Sequence, residues 1–220
     1  MLARAVVRTF VLTLCASSVL SLVSRATHAA DDTPAAFSTL KVPEGFTVEV
    51  AAAPPLIERP IVAAFDDEGR LYVAESSGSN DPVEKQLAEK PHRIVRLEDT
   101  DGDGKFDRRI VFAEHMMFPE GAMFFDGSLY VAAAPSIWKL TDKDGDGTAD
   151  ERVEWYQGKT LTGCANDLHG PYAGPDGWIY WCKGAFAEQT HVVNGREWKT
   201  KAAHIFRCRA DAPRDATGAV

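Results

Sequence analysis

The 220-residue sequence is poor in cysteine and short of positive charge. Its 4 cysteines, at positions 15, 164, 182 and 208, form no Cys-x-x-Cys pair and no zinc-ligand spacing. That excludes a zinc scaffold and, within this stretch, the Cys-x-x-Cys-His attachment of a c-type haem. Lys and Arg number 24 against 32 Asp and Glu, a formal charge of −8. A chain of that sign lacks the basic face that phosphate backbones require, so no nucleic-acid partner is expected. Long apolar runs are missing as well, apart from one near the start.

That run extends from Phe10 to about Val23 and follows Arg4 and Arg8. It is short and broken by serines, and Thr27-His28-Ala29 suits a signal-peptidase site. Residues 1–29 therefore read as a cleaved signal peptide rather than an uncleaved anchor, and 30–40 as a linker. No stable membrane span is expected after cleavage, and the mature chain is placed in the periplasm or outside the cell. Cys15 follows Leu14, which argues against a lipoprotein box. Cys164, Cys182 and Cys208 remain, so an oxidising compartment leaves three pairings open and one thiol over.

What the sequence does contain is repetition. "RIVRLEDTDGDGKFDRRIVF" (93–112) and "SIWKLTDKDGDGTADERVEW" (136–155) align at a constant offset of 43. A second set is "FDDEGRLYVAE" (65–75), "FFDGSLYVAAA" (124–134) and "GPDGWIYWCKG" (174–184). Each member is an Asp/Gly turn followed by a short strand of bulky residues. "IVRL" (94–97), "IWKL" (137–140) and "IFRC" (205–208) form a third set. One unit is thus strand, Asp/Gly turn, strand, connector, strand, Asp-rich turn, strand. Four short antiparallel strands in roughly 40–50 residues make a propeller blade. A β-sandwich has many short strands too, but it does not repeat one strand plan at a fixed period.

The expected fold is an all-β propeller of four-stranded blades over 41–220, with about three blades at 60–113, 119–155 and 166–209. "EGFTVEVAAAP" (44–54) reads as an extra strand. Closed propellers have about four to eight blades, and an unclosed ring exposes strand edges. The chain is therefore expected to be the N-terminal fragment of a longer protein.

The Asp-rich turns crowd like charge. Taken as loop positions 1, 3, 5 and 9, the carboxylates are Asp99, Asp101, Asp103 and Asp107, then Asp142, Asp144, Asp146 and Asp150. Position 7 is Lys105 or Thr148, each offering its carbonyl, and position 6 is Gly104 or Gly147, where the turn is sharp. Position 12 is Ile110 or Val153 rather than the Glu of an EF-hand, and the flanks are strands. The shorter pattern resembles the calcium loops of integrin-type propeller blades. Oxygen-only ligands point to Ca2+, which would offset the repulsion and play a structural part. Solvated acidic turns are the plainer alternative.

On the opposite rim, "CANDLHGPYAGPDGWIYWCKGAFAEQTH" (164–191) concentrates the polar groups. His169 is the candidate general base, because imidazole titrates near neutrality. Its plainer reading is a hydrogen-bonded histidine at the top of an inner strand. Lys183 reads as a solvated loop lysine or a partner for an anion, Glu75 as a pocket residue, and His191 as a surface residue. The aromatics here are mostly blade core.

The motifs "VPEGFTVEVAAAPPLIERPIVAAFDDEGRLYVAE", "RIVRLEDTDGDGKFD" and "DLHGPYAGPDGWIYWCKGAFAEQT" together resemble the planctomycete-type membrane-bound dehydrogenases, also called PVC-type haem-binding proteins. The propeller of that family looks like that of the PQQ-dependent soluble glucose and aldose sugar dehydrogenases. The resemblance implies oxidation of a sugar or related alcohol, with PQQ as cofactor and electrons passed to a haem c module or cytochrome that this chain does not contain. It also implies a histidine base eight residues before Gly-Pro-Asp. Here His169 stands five before Gly174-Pro175-Asp176, and Asn166 stands eight before. Five and eight differ in parity on a plain strand, so either a bulge restores the facing of His169 or the base is missing. A non-catalytic, calcium-stabilised propeller that binds carbohydrate or protein is the alternative function.

Overall fold

The computed structural model describes residues 39–158, 161–163, 167–185, 188–193 and 195–209. Residues 1–29, expected to be a signal peptide, residues 30–38 of the expected linker, Cys164, Asn166 and residues 210–220 lie outside them. The chain divides into Met1–Val48 and Glu49–Val220. In the first unit the described residues form a turn in which Phe46 N–H donates to the Pro43 carbonyl.

The second unit is built of antiparallel strands. β1 (Pro60–Phe65), β2 (Leu71–Glu75), β3 (His92–Glu98) and β4 (Arg108–Met116) form one sheet in chain order. β5 (Pro119–Phe125), β6 (Ser128–Ala133), β7 (Ser136–Thr141) and β8 (Glu151–Gln157) form a second in the same order. The third region contains β9 (Leu168–Ala173), β10 (Trp178–Lys183), β11 (Gln189–Val193), β12 (Arg196–Thr200) and β13 (His204–Arg209). Its sheet runs β9-β10-β13, while β11 and β12 pair as a separate hairpin. One short helix, α1 (Val83–Glu89), interrupts the connector between β2 and β3. The fold is all-β and propeller-like, as the strand repeat predicts.

One repeated sequence feature explains the layering. "LYVA" occurs at 71–74 and at 129–132 without a polar residue, because both faces of these strands are buried. Tyr72, Ala74, Ile94 and Phe112 of the first sheet pack against Leu129, Val131 and Leu140 of the second. Tyr72 stacks on Phe124, with ring centroids 5.6 Å apart. Tyr130, Ile137 and Trp155 then pack against Leu168, Ile179, Trp181 and Cys208 of the third sheet. Fully burying one such large apolar side chain contributes about 1.5–3 kcal/mol. Cys182 and Cys208 are not opposite each other, since Cys182 faces Ile205 and Cys208 faces Ile179 across the strands.

The strand expected at 44–54 is not formed. Pro54 and Pro55 have no N–H to give a ladder, and the alanines beside them offer little to pack on a pleated surface. Ala52, Leu56 and Ile57 instead cover the outer apolar face of the first sheet at Val73, Val95 and Leu97. The Ala51 carbonyl accepts from Phe106 N–H at 3.0 Å.

β1, β5 and β9, the first strand of each sheet, are the contacting edges: β1 packs on β5, and β5 on β9. The closest approach is between backbones. A Cβ placed on Gly121 of β5 would lie 1.7 Å from the Gly170 carbonyl oxygen of β9. Gly121→Ala must therefore push two strands apart and is expected to cost about 1–3 kcal/mol. Urea unfolding of the full chain measures it, and a change within the error of wild type would mean the two strands do not touch there.

Candidate functional site

Each Asp-rich turn is first organised by its own backbone. Asp99 accepts N–H bonds from Gly102 and Gly104 at 2.7 and 2.8 Å. Asp142 accepts from Gly145 and Gly147 at 2.7 and 2.9 Å. Gly104 and Gly147 sit at φ +89° and +97°, in the left-handed region that lets the chain double back. Thr100 donates through N–H and hydroxyl to Asp107, and Lys143 N–H donates to Asp150. Lys105 N–H and Thr148 N–H donate to Asp103 and Asp146. The Gly104 N–H bond, foremost, holds the Asp99 carboxyl below its ordinary pKa.

The turns bring part of the expected ligand set together. Carboxylate oxygens of Asp99, Asp101 and Asp107 lie within 4.8 Å of one another, as do those of Asp142, Asp144 and Asp146. Asp103 and Asp150 stand outside these two groups. The donor set is oxygen only, which fits a hard cation such as Ca2+. The two turns differ in their surroundings. The first is solvated. In the second, Asp142 accepts from Arg96 Nη1 at 3.3 Å, while Arg96 Nη2 holds Glu98 at 2.6 Å. Ala149 N–H also donates to the Phe112 carbonyl at 2.8 Å. The second turn is thereby tied to the first sheet.

The opposite rim is where the inner strands start. Glu75, at the end of β2, accepts from Glu58 N–H at 2.9 Å, Arg93 Nε at 2.7 Å and Arg109 Nη2 at 3.0 Å. It is buried beneath these partners and anchors the sheet, so it is not an open pocket residue. Burial opposes its ionisation, but the three donors and the Arg93 charge outweigh burial and hold its pKa below the usual value.

Each inner strand slips register at this rim. Pro60 pairs with Glu75 and Val62 with Ala74, leaving Ile61 over. Pro119 pairs with Ala133 and Gly121 with Ala132, leaving Glu120 over. On β9, His169 pairs with Cys182 and Tyr172 with Tyr180, so two residues, Gly170 and Pro171, oppose Trp181. Gly170 takes φ +97° there. Bulges of this kind re-aim side chains and are common beside functional sites. The bulge on β9 lies between His169 and Gly174-Pro175-Asp176 and changes the parity between them.

The two re-aimed residues meet: His169 Nδ1 lies 3.8 Å from Glu120 Oε2. The Glu120 side chain is 13% exposed, that of His169 37%. Burial, with the Asp167 charge adding to it, raises the Glu120 pKa to about 7. Asp167 is buried and accepts from the Thr162 N–H and hydroxyl. Lys183, expected in a solvated loop, is buried at the end of β10 with Nζ 3.2 Å from the Gly184 carbonyl. Burial lowers its pKa, against the charges of Asp167 and Glu188. An imidazole, two carboxylates and an ammonium thus share one rim, an arrangement able to hold and move a proton.

His191, expected at the surface, is buried as well. It lies on β11, and its Nε2 is 3.0 Å from Tyr156 Oη and 2.9 Å from Gln189 Oε1. The hairpin inserted after β10 brings His191 and Gln189 to Tyr156 of the second sheet. Glu120 was missed by the sequence reading. Its "FPEG" setting looks like a turn before a strand, and only the register shows it to be the extra residue.

Residues 32–217 match the model of a family described as "Domain of unknown function (DUF7133)", and the chain belongs to that family. No curated protein matches. Among solved structures, the chain is similar to an oxidoreductase (glucose dehydrogenase) of Thermus thermophilus. The identity is 18%, over 58% of this chain and 38% of that one, with a TM-score of 0.38. The chain therefore spans well under half the length of that protein. No described helix is long and apolar enough to cross a membrane.

The Glu75 anchor predicts an acid-sensitive stability. Its folded pKa is lowered, so its contribution is present above the unfolded carboxylate pKa of roughly 4.3 and is lost as pH falls through the folded value. Glu75→Gln keeps the shape but leaves Arg93 and Arg109 without their shared charge. It is expected to cost about 3 kcal/mol near neutral pH. The gap to wild type should close on acidification. Thermal melts between pH 3 and about 7 test this, and an equal gap at both ends would contradict it.

Proposed function

We propose that this member of the DUF7133 family is the propeller portion of an exported, calcium-binding dehydrogenase of quinoprotein type. It oxidises a sugar or related alcohol and passes electrons to a haem c module or cytochrome outside this chain. The observation that carries the reading is the rim where two bulged inner strands bring His169 to 3.8 Å from Glu120, beside Asp167 and Lys183. The motif resemblance supports the same reaction class. His169 is the group that takes the hydroxyl proton.

PQQ does not fit the described rim by itself. A polycarboxylate quinone asks for a cradle of cations. Here the rim offers the carboxylates of Glu120 and Asp167, while Lys183 is buried and directed at a carbonyl. Arg93 and Arg109 are engaged by Glu75. No step is assigned to these residues beyond handling the proton.

In the proposal, calcium occupies the two Asp-rich turns. Bound there, it neutralises carboxylates that otherwise repel one another, and it stiffens the two hairpins. A second reading is a non-catalytic propeller that binds carbohydrate. It is favoured by Tyr172, 64% exposed, and by Trp198, 49% exposed with the Arg196 guanidinium 4.4 Å from its ring centroid.

Two measurements test the proposal. The full-length protein supplied with PQQ and Ca2+ is expected to reduce a dye with some member of a panel of neutral sugars and alcohols. His169→Ala should then lose about 100-fold or more in kcat. Binding of a sugar without turnover, unchanged in His169→Ala, would select the second reading. Separately, Ca2+ at about 100 times its Kd is expected to stabilise the chain by about 2.7 kcal/mol per site. Asp99→Asn and Asp142→Asn should each remove one such contribution, and melts insensitive to Ca2+ and to chelator would exclude the metal.

A further inference from the structure

We infer that Glu120 is the proton-holding partner of His169, so that the rim works as an imidazole–carboxylate pair rather than as a lone histidine. The inference rests on the dehydrogenase reading only for the identity of the substrate; the pair itself stands on geometry. Glu120 is the extra residue of the β5 bulge, and His169 immediately precedes the β9 bulge. The Gly121–Gly170 backbone contact fixes the spacing of the two strands. Glu120 Oε2 is buried and has no hydrogen-bond partner among the described residues, and the nitrogen it faces is His169 Nδ1 at 3.8 Å. A buried carboxylate oxygen left without a donor is costly, unless the group carries a proton or receives one from its neighbour.

The surroundings keep that proton in play. Asp167, just before β9, faces Glu120 with like charge, and the resulting carboxyl titrates near neutrality. Lys183 on β10 has Nζ 3.2 Å from the Gly184 carbonyl and feels the charges of Asp167 and Glu188. Glu75 on β2 is neutralised by Arg93 and Arg109. Arg93 and Arg109 are thus taken up by Glu75, and the basic group that faces Glu120 Oε2 is the imidazole, with Nδ1 at 3.8 Å. In the forward step the substrate O–H bond breaks and its proton goes to His169 Nε2. The Nδ1–H bond then breaks, and that proton goes to Glu120 Oε2. The charge that would build up on the ring is cancelled, and the proton stays within the pair. Glu120 acts through His169 and does not itself touch the substrate.

Infrared titration of the full-length chain reads the protonated-carboxyl stretch directly and needs no turnover. Wild type is expected to show one carboxyl that titrates near pH 7. Glu120→Gln should abolish that band, and His169→Gln should raise its midpoint by removing the group that accepts and returns the proton. Asp167→Asn should lower the midpoint. Because the folded state binds this proton more tightly than the unfolded chain, stability falls as pH rises from the carboxylate range towards the folded midpoint, and Glu120→Gln should flatten that slope. Where the protein turns over, Glu120→Gln should lower kcat about tenfold near pH 7 and displace the acid limb of its pH profile, with KM little changed. Should Glu120→Gln fail to fold, the His169→Gln and Asp167→Asn midpoints carry the test. No band near pH 7 in wild type, or a midpoint unmoved by His169→Gln, overturns the pair. Absence of turnover alongside the expected infrared response sinks the dehydrogenase reading and leaves the pair intact.

Discussion

The backbone contact between β5 and β9 is the constraint on which the rest depends. Gly121 and Gly170 bring two inner strands closer than any side chain would allow. That closeness draws the second and third sheets face to face over the Trp155–Trp181 core, where the two rings meet edge-on at 5.3 Å. It also sets how far apart Glu120 and His169 stand at the rim above the contact. Packing and chemistry here share one cause, because bulged backbone can carry a functional side chain at its turn while the residues beside it stay in the core.

The two ends of the sheets solve opposite electrostatic problems. At one end, the acidic turns gather carboxylates that are largely open to water, and backbone N–H groups satisfy much of their hydrogen bonding. At the other end, the carboxylates are few but buried. Glu75 is fully matched by two guanidinium groups, whereas Glu120 has none and is pushed towards holding a proton. Burial without a cation is expensive for a carboxylate, so the unmatched one is the group most ready to exchange a proton near neutral pH.

Arg96 shows how the sheets are fastened beyond hydrophobic packing. From β3 it reaches both Glu98 on its own sheet and Asp142 in the acidic turn of the next. The side chain that a Cβ at Gly147 would strike is this same guanidinium, so the glycine leaves room for the link as well as for the turn. The repeat therefore holds its sequence register but not its environment. Position 99 is solvated, while position 142 answers to a neighbour.

Within the first two sheets, strand number, strand order and the placement of the acidic turns were legible because they are local. Alternating apolar runs, Asp/Gly turns and a 43-residue offset depend on neighbours a few residues away. The expected strand at 44–54 failed, since the same apolar residues pack as well against a finished sheet face as within a ladder. His191 and Lys183 looked like loop residues because nothing nearby in sequence buries them. The inserted hairpin carries His191 in against Tyr156, and the rim beside Asp167 encloses Lys183. Glu120 carried no signal at all. A bulge is a mismatch between two strands, and an approach of Glu120 to His169 joins residues 49 positions apart. The sequence by itself determined the repeated strand plan of the first two sheets and where carboxylates gather. Only the tertiary structure decided which charges are buried, which are matched, and which histidine has a carboxylate to share its proton with, because those depend on distances between sheets.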